Sequence, residues 1–191
     1  MSKQRVLKIT LCGESAVGKS SIGCRLANKE PDLDYTATVG VDYFARKVPS
    51  YDAKIGIWDL AGNRRFEAVT LPYIKCTNTI VYVYDITRPS TVQELQRLHK
   101  IYLRTLGKLG KIKILVVANK NDIENNHNNK CLEAGKQFAD SLGAPHVLVS
   151  AKMNKGIDDL LSVLMIEMEL DTDTKIKDKE DIRMCDNCIL S

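Results

Sequence analysis

Residues 13–20 read Gly13-Glu14-Ser15-Ala16-Val17-Gly18-Lys19-Ser20, a GxxxxGKS pattern between an apolar run at 6–12 and a helix-periodic segment at 19–28. A strand that passes through two glycines directly into a helix curls its backbone around whatever sits at the helix start. Successive N–H groups then point inward at one anion. The helix N-terminus adds partial positive charge, Lys19 supplies a full one, and the Ser20 hydroxyl is placed to ligate Mg²⁺. Ser15, Ala16, Val17, Gly18, Lys19, Ser20 and Ser21 are therefore the candidate phosphate-binding residues.

The rest of the chain repeats the strand-to-helix alternation. Helical patterns fall at 92–106, 131–142 and 156–169, which implies an α/β sheet wrapped by helices. Runs at 41–48 and 53–58 are separated only by Pro49-Ser50-Tyr51-Asp52, too short for a helical crossover, so this pair is expected to be an antiparallel hairpin and the other strands parallel. Ligands of such sheets sit at the carboxyl ends of the strands.

Other motifs follow strand-like runs in the same way. Asn119-Lys120-Asn121-Asp122 follows 112–118, and Ser150-Ala151-Lys152 follows 146–149. An ionised Asp122 has only acceptors, which suits the N1–H and exocyclic amine of guanine, while a backbone N–H of the 150–152 segment suits its O6. Adenine would leave both groups mispaired, at a large cost in a partly buried site. In Trp58-Asp59-Leu60-Ala61-Gly62 the acid ends a strand: Asp59 can hold a magnesium-bound water, and the Gly62 N–H can reach a terminal phosphate. Thr38, in Tyr35-Thr36-Ala37-Thr38-Val39-Gly40, is the candidate second hydroxyl on the metal.

These elements, in this order, resemble the Ras-like small GTPases over roughly 5–169. Within that superfamily Val39-Gly40-Val41-Asp42-Tyr43, Lys54-Ile55-Gly56-Ile57-Trp58-Asp59, Arg65-Phe66-Glu67-Ala68-Val69-Thr70 and Val83-Tyr84-Asp85-Ile86-Thr87 are similar to the Rab branch, regulators of vesicle traffic. The resemblance implies a P-loop GTPase domain at 1–170: a mostly parallel six-stranded sheet with one antiparallel hairpin strand and helices on both faces. It implies a monomer that binds GTP or GDP with Mg²⁺. Ser20, Thr38 and Asp59 would then serve the metal, Tyr35 the nucleotide, and Lys19, Thr38, Gly62 and Asn63 hydrolysis. In the GTP form the loops 31–40 and 59–74 are ordered through Thr38 and Gly62, and effector proteins read them through Val41, Tyr43, Trp58, Phe66 and Tyr73. Trp58 reads equally as a core aromatic. Partners implied are effectors, an exchange factor, a GTPase-activating protein, a prenyltransferase and a prenyl-binding dissociation inhibitor.

The chain departs from the family at Pro31, where an aromatic commonly covers the guanine face, at Asn63, where a glutamine orients the attacking water, and at Arg64, where glutamate is usual. Arg64 reads as a solvated surface arginine rather than a built-in arginine finger. Asn63 keeps open a GTP-loaded binding module with little turnover. A Ras- or Rho-type signalling role is the other alternative, and the Asn119-Lys120-x-Asp122 motif counts against a small P-loop kinase.

With 191 residues and 44% hydrophobic content the chain is long enough for one domain with a full core. A net charge of +4 with no aromatic-interleaved basic stripe argues against nucleic acid as a partner. No apolar run approaches the roughly 18 residues of a membrane span. Cys12, Cys24, Cys76 and Cys131 lack metal-ligand spacing and read as small core or near-core residues. Cys188-Ile189-Leu190-Ser191 closes the sequence as a C-a-a-X prenylation pattern, with Cys185 a candidate for a second lipid, prenyl or palmitoyl. The rival reading of the pair as half a zinc site lacks a second pair. The terminal serine favours farnesyl and the Rab resemblance geranylgeranyl. The tail at 171–191 reads as a flexible linker with four basic and six acidic side chains, so attraction to anionic lipid is not its anchor. The implied location is the cytoplasmic face of intracellular membranes, with a cytosolic pool.

Overall fold

The computed structural model describes residues 5–32, 34, 36–107, 112–123 and 128–169. Tyr35, the tail at 171–191, Cys185 and Cys188 lie outside the described residues.

Strands β1 (Arg5–Cys12), β2 (Val41–Val48), β3 (Ala53–Leu60), β4 (Thr79–Asp85), β5 (Lys113–Asn119) and β6 (His146–Leu148) form one sheet in the order β2-β3-β1-β4-β5-β6. Only the β2–β3 pairing is antiparallel, as the short connection requires. A 3₁₀ turn, Pro49–Tyr51, makes that connection, and Tyr43 lies directly opposite Trp58.

Alternation along each strand splits the core in two. Leu7, Ile9 and Leu11 of β1, with Val81 and Val83 of β4, face α1 (Lys19–Leu26) and α5 (Ile157–Glu169). Ile80, Tyr82 and Tyr84 of β4 face α2 (Glu67–Lys75), α3 (Ser90–Leu106) and α4 (Asn128–Ser141). Helices thus cover both faces. Tyr82 and Tyr84 are fully buried and keep their hydroxyls paired, Tyr82 with His99 Nδ1 at 3.2 Å and Tyr84 with His146 Nε2 at 3.0 Å. Gly135 lies where a Cβ would overlap the Tyr84 ring, so this glycine is a matter of close approach. Burial lowers the pKa of both imidazoles.

One expectation needs correction. The segment at 59–74 is not simply a loop: β3 runs through Leu60, a 3₁₀ turn spans Arg64–Phe66, and α2 follows at once. Pro72 sits inside α2, and in a sequence it reads as a helix breaker. Cys12, Cys24 and Cys131 are free, the first and last buried.

Candidate functional site

The motif-bearing loops after β1, β3, β5 and β6 converge at the carboxyl end of the sheet. The phosphate loop is packed too closely for side chains at its glycines. A Cβ on Gly13 would overlap the Val83 carbonyl, and one on Gly18 would overlap the Asn119 amide. Ala16 takes the left-handed conformation at φ 63°, which glycine would adopt without strain.

Asn119 is the hub. Its Nδ2 donates to the Val17 carbonyl at 2.8 Å, and its Oδ1 accepts from the Ala151 N–H at 3.1 Å, so one side chain ties the phosphate loop to the base loop. Asp122, the expected guanine reader, accepts from Ser150 Oγ at 2.6 Å; that hydroxyl in turn accepts from the Met153 N–H at 3.1 Å.

The three candidate metal-site residues meet although they come from separate segments. Ser20 Oγ donates to Asp59 Oδ2 at 2.5 Å, Thr38 Oγ1 lies 3.3 Å from the same oxygen, and the two hydroxyls are 3.1 Å apart. Asp59 is fully buried, and its Oδ1 has no hydrogen-bond partner among the described residues. A buried carboxylate oxygen without a partner is costly. Two hydroxyls, one carboxylate and an unused oxygen fit a small hard cation that shares its coordination with phosphates and water. Burial raises the Asp59 carboxyl, against the Ser20 hydrogen bond and the Lys19 charge. Burial likewise lowers Lys19, whose ammonium donates to the Glu14 carbonyl at 2.8 Å.

Gly62 lies against the phosphate loop, where a Cβ would overlap Glu14 and the Ser15 nitrogen. Asn63 lines one cavity with Glu14 and Ser15 of that loop. Its Oδ1 accepts from the Arg65 N–H at 3.1 Å and caps the Arg64–Phe66 turn. Arg64 is 70% exposed, a surface arginine, and is ion-paired with Glu94 of α3 at 2.7 Å. Arg97 joins Glu94 to Glu67 of α2, completing a network between the second loop and α3.

The sequence reading missed several residues. Asp85, buried at the end of β4, pairs with Lys120 at 2.6 Å and Arg88 at 3.1 Å. Burial works to raise its carboxyl, but Lys120 and the Thr87 hydrogen bonds outweigh that and hold it below the usual range. Arg88 also donates to the Ser15 carbonyl at 2.9 Å. The available signal was that Asp85, like Asp59, ends an apolar strand with an acid.

Of the candidate effector residues, Tyr43 is 52% exposed and packs on Trp58 with centroids 5.0 Å apart. Val41, Trp58 and Tyr73 are half-buried against the second core cluster, and Phe66 is half-buried beneath the Arg65 guanidinium at 4.7 Å. Among the described residues no helix is long and apolar enough to cross a membrane.

The sequence profile of the Ras family matches residues 8–170. Ras-related protein Rab-21 of Homo sapiens is 33% identical over 155 residues, covering 80% of this chain and 68% of that protein. Ras-related protein RabC of Dictyostelium discoideum is 29% identical over 176 residues, 88% of this chain and 87% of its own. Rab-1C of the same organism is 31% identical over 174 residues, 89% and 84% respectively. With the phosphate loop, the acid-and-hydroxyl cluster and the Asn119 and Ser150 loops at the carboxyl end of one sheet, the chain belongs to the Ras family and is a Rab-like small GTPase.

Proposed function

We propose that the protein is a GTP-hydrolysing switch, anchored to membranes through Cys188 and Cys185, that regulates vesicle traffic. The observation that carries the switch reading is the convergence of Ser20, Thr38 and Asp59 with an unpartnered Asp59 Oδ1. Ser20, Thr38 and Asp59 would hold Mg²⁺, which when bound neutralises phosphate charge. Thr38 belongs to an irregular segment, so a terminal phosphate that completes the cluster would strengthen its tie to the site. Gly62, packed against the phosphate loop, would sense that same group through its N–H, and Lys19 would balance its charge. Loss of the terminal phosphate frees Thr38 and Gly62 together, and with them the surface around Tyr43, Trp58 and Tyr73 that effectors read. Asn63 orients the attacking water poorly because its amide is engaged as a cap, so unassisted turnover is slow and an activating protein supplies the missing groups.

Ser20→Asn is the test of the metal site: it should weaken Mg²⁺-dependent GTP binding more than GDP binding, and equal loss for both contradicts the assignment. Cys188→Ser should leave the protein cytosolic and Cys185→Ser should make attachment weaker and more reversible; full membrane retention of the Cys188 variant refutes the anchor. The cap on Asn63 also favours a second reading, a GTP-loaded binding module with little turnover. Nucleotide extracted from protein isolated from cells separates the two: mostly GDP supports the cycling switch, mostly GTP the module.

A further inference from the structure

Arg25, in the last turn of α1, lies far in sequence from the base-reading loop yet is bound to it twice. Its Nε donates to the Ala151 carbonyl at 2.9 Å and one terminal nitrogen donates to the Lys152 carbonyl at 3.2 Å. The other terminal nitrogen pairs with Glu30 at 2.6 Å. Arg25 is only 12% exposed, whereas Glu30 is 85% exposed, so the anion holds the fork loosely and the two carbonyls define its place.

The loop needs such a partner. Ser150 and Lys155 exchange backbone hydrogen bonds at 2.9 and 3.0 Å, and the Ala151 N–H is taken by Asn119, but the carbonyl of the buried Ala151 faces Arg25. A planar, permanently charged fork fixes two successive carbonyls at once, which a single ammonium cannot do. The Ala151 carbonyl shares its peptide plane with the Lys152 N–H, so fixing the one directs the other, a donor for the O6 of a bound guanine; the Met153 N–H in the next plane is taken by Ser150 Oγ.

We propose that Arg25 is a positioning residue for guanine recognition, holding the Ala151–Lys152 peptide so that the Lys152 N–H meets O6. The inference rests on the guanine-binding reading of the site. The experiment measures dissociation of GDP and of 6-thio-GDP from the full-length wild type and from Arg25→Gln, Arg25→Lys and Glu30→Gln. Sulfur is a weak acceptor at position 6, so the thio-nucleotide depends less on that donor. In Arg25→Gln, GDP should leave roughly 10- to 100-fold faster, 6-thio-GDP much less so, and the preference for GDP over 6-thio-GDP should shrink accordingly. Arg25→Lys should not restore it, and Glu30→Gln should behave as wild type. Equal acceleration of both nucleotides, an unchanged GDP rate, or full rescue by lysine each overturns the proposal. A wild type that binds neither nucleotide refutes the guanine-site reading itself.

Discussion

Replacing Asn63 with glutamine separates two jobs that one side chain now performs. Asn63 Oδ1 accepts the Arg65 N–H at 3.1 Å and so caps the turn that leads into α2. Asparagine is among the best residues for this, because its oxygen sits at the right distance from a backbone two residues on; glutamine, one methylene longer, is not. Losing the cap costs about 1 kcal/mol of local stability. The same methylene gives the amide about 1.3 Å more reach, from C–C bonds of roughly 1.5 Å. Phosphoryl transfer depends on positioning, and a misplacement near 1 Å costs on the order of 10²-fold. Asn63→Gln should therefore hydrolyse GTP roughly 10- to 100-fold faster without partners, about 1.4–2.7 kcal/mol off the barrier. Amide exchange at Arg64 to Glu67 should speed up in the same variant. Single-turnover phosphate release measures the first effect and hydrogen exchange the second. Asn63→Ser, which keeps a capping oxygen and lacks the amide, should preserve protection and gain no rate. If Asn63→Gln is no faster than the parent, the engaged amide is not what limits turnover and the argument fails.

Ala16→Gly should raise the denaturant midpoint with an unchanged slope, by roughly 0.5–1 kcal/mol, because φ 63° costs alanine about 1–2 kcal/mol and the added unfolded-state entropy of glycine returns part of it; a lower midpoint contradicts the strain. His99 and His146 have folded pKa values below the ordinary 6.5, so the unfolded state binds more protons and stability should fall as pH drops through about 6.5 toward the folded values. Unfolding free energies that stay flat from pH 7 to 5.5 refute this, and His99→Gln should lessen the slope. Asp122→Asn should move base preference from guanine toward xanthine, since the amide can donate to the extra carbonyl; unchanged selectivity in competition would exclude Asp122 as the base reader.

How much of this the sequence disclosed depended on the range of the interaction. Gly13, Gly18, Lys19 and Ser20 act through backbone geometry fixed within eight residues, and that geometry is written in their spacing. Asp59 and Thr38 were legible as members of an ordered series of motifs, and the sheet then brought them to Ser20. The hairpin was legible because four residues cannot span a crossover. By contrast, Asn63 was read by chemistry alone, and its cap exists only because the backbone turns at Arg64. α2 was concealed by Pro72 and by the exposed Val69 on its outer side. Arg25, Asp85 and Arg88 act across long stretches of chain on carbonyls and charges, which leaves no periodicity and no local spacing to read.

Asn119 carries one bond to each of two loops, so a displacement of either is felt by the other even though Arg88 and Arg25 also hold them separately. Any partner that pries up the phosphate loop also slackens the base loop, and any ligand that grips the base tightens the grip on phosphate, with the coupling reciprocal by thermodynamic necessity. A nucleotide so held adds to the fold's stability in proportion to the logarithm of its concentration over Kd, about 2.7 kcal/mol at a hundredfold excess. The emptied protein is consequently the most fragile species in the cycle. An exchange factor on this architecture must therefore act as a brace as well as a lever, supporting the parted loops until the next nucleotide arrives.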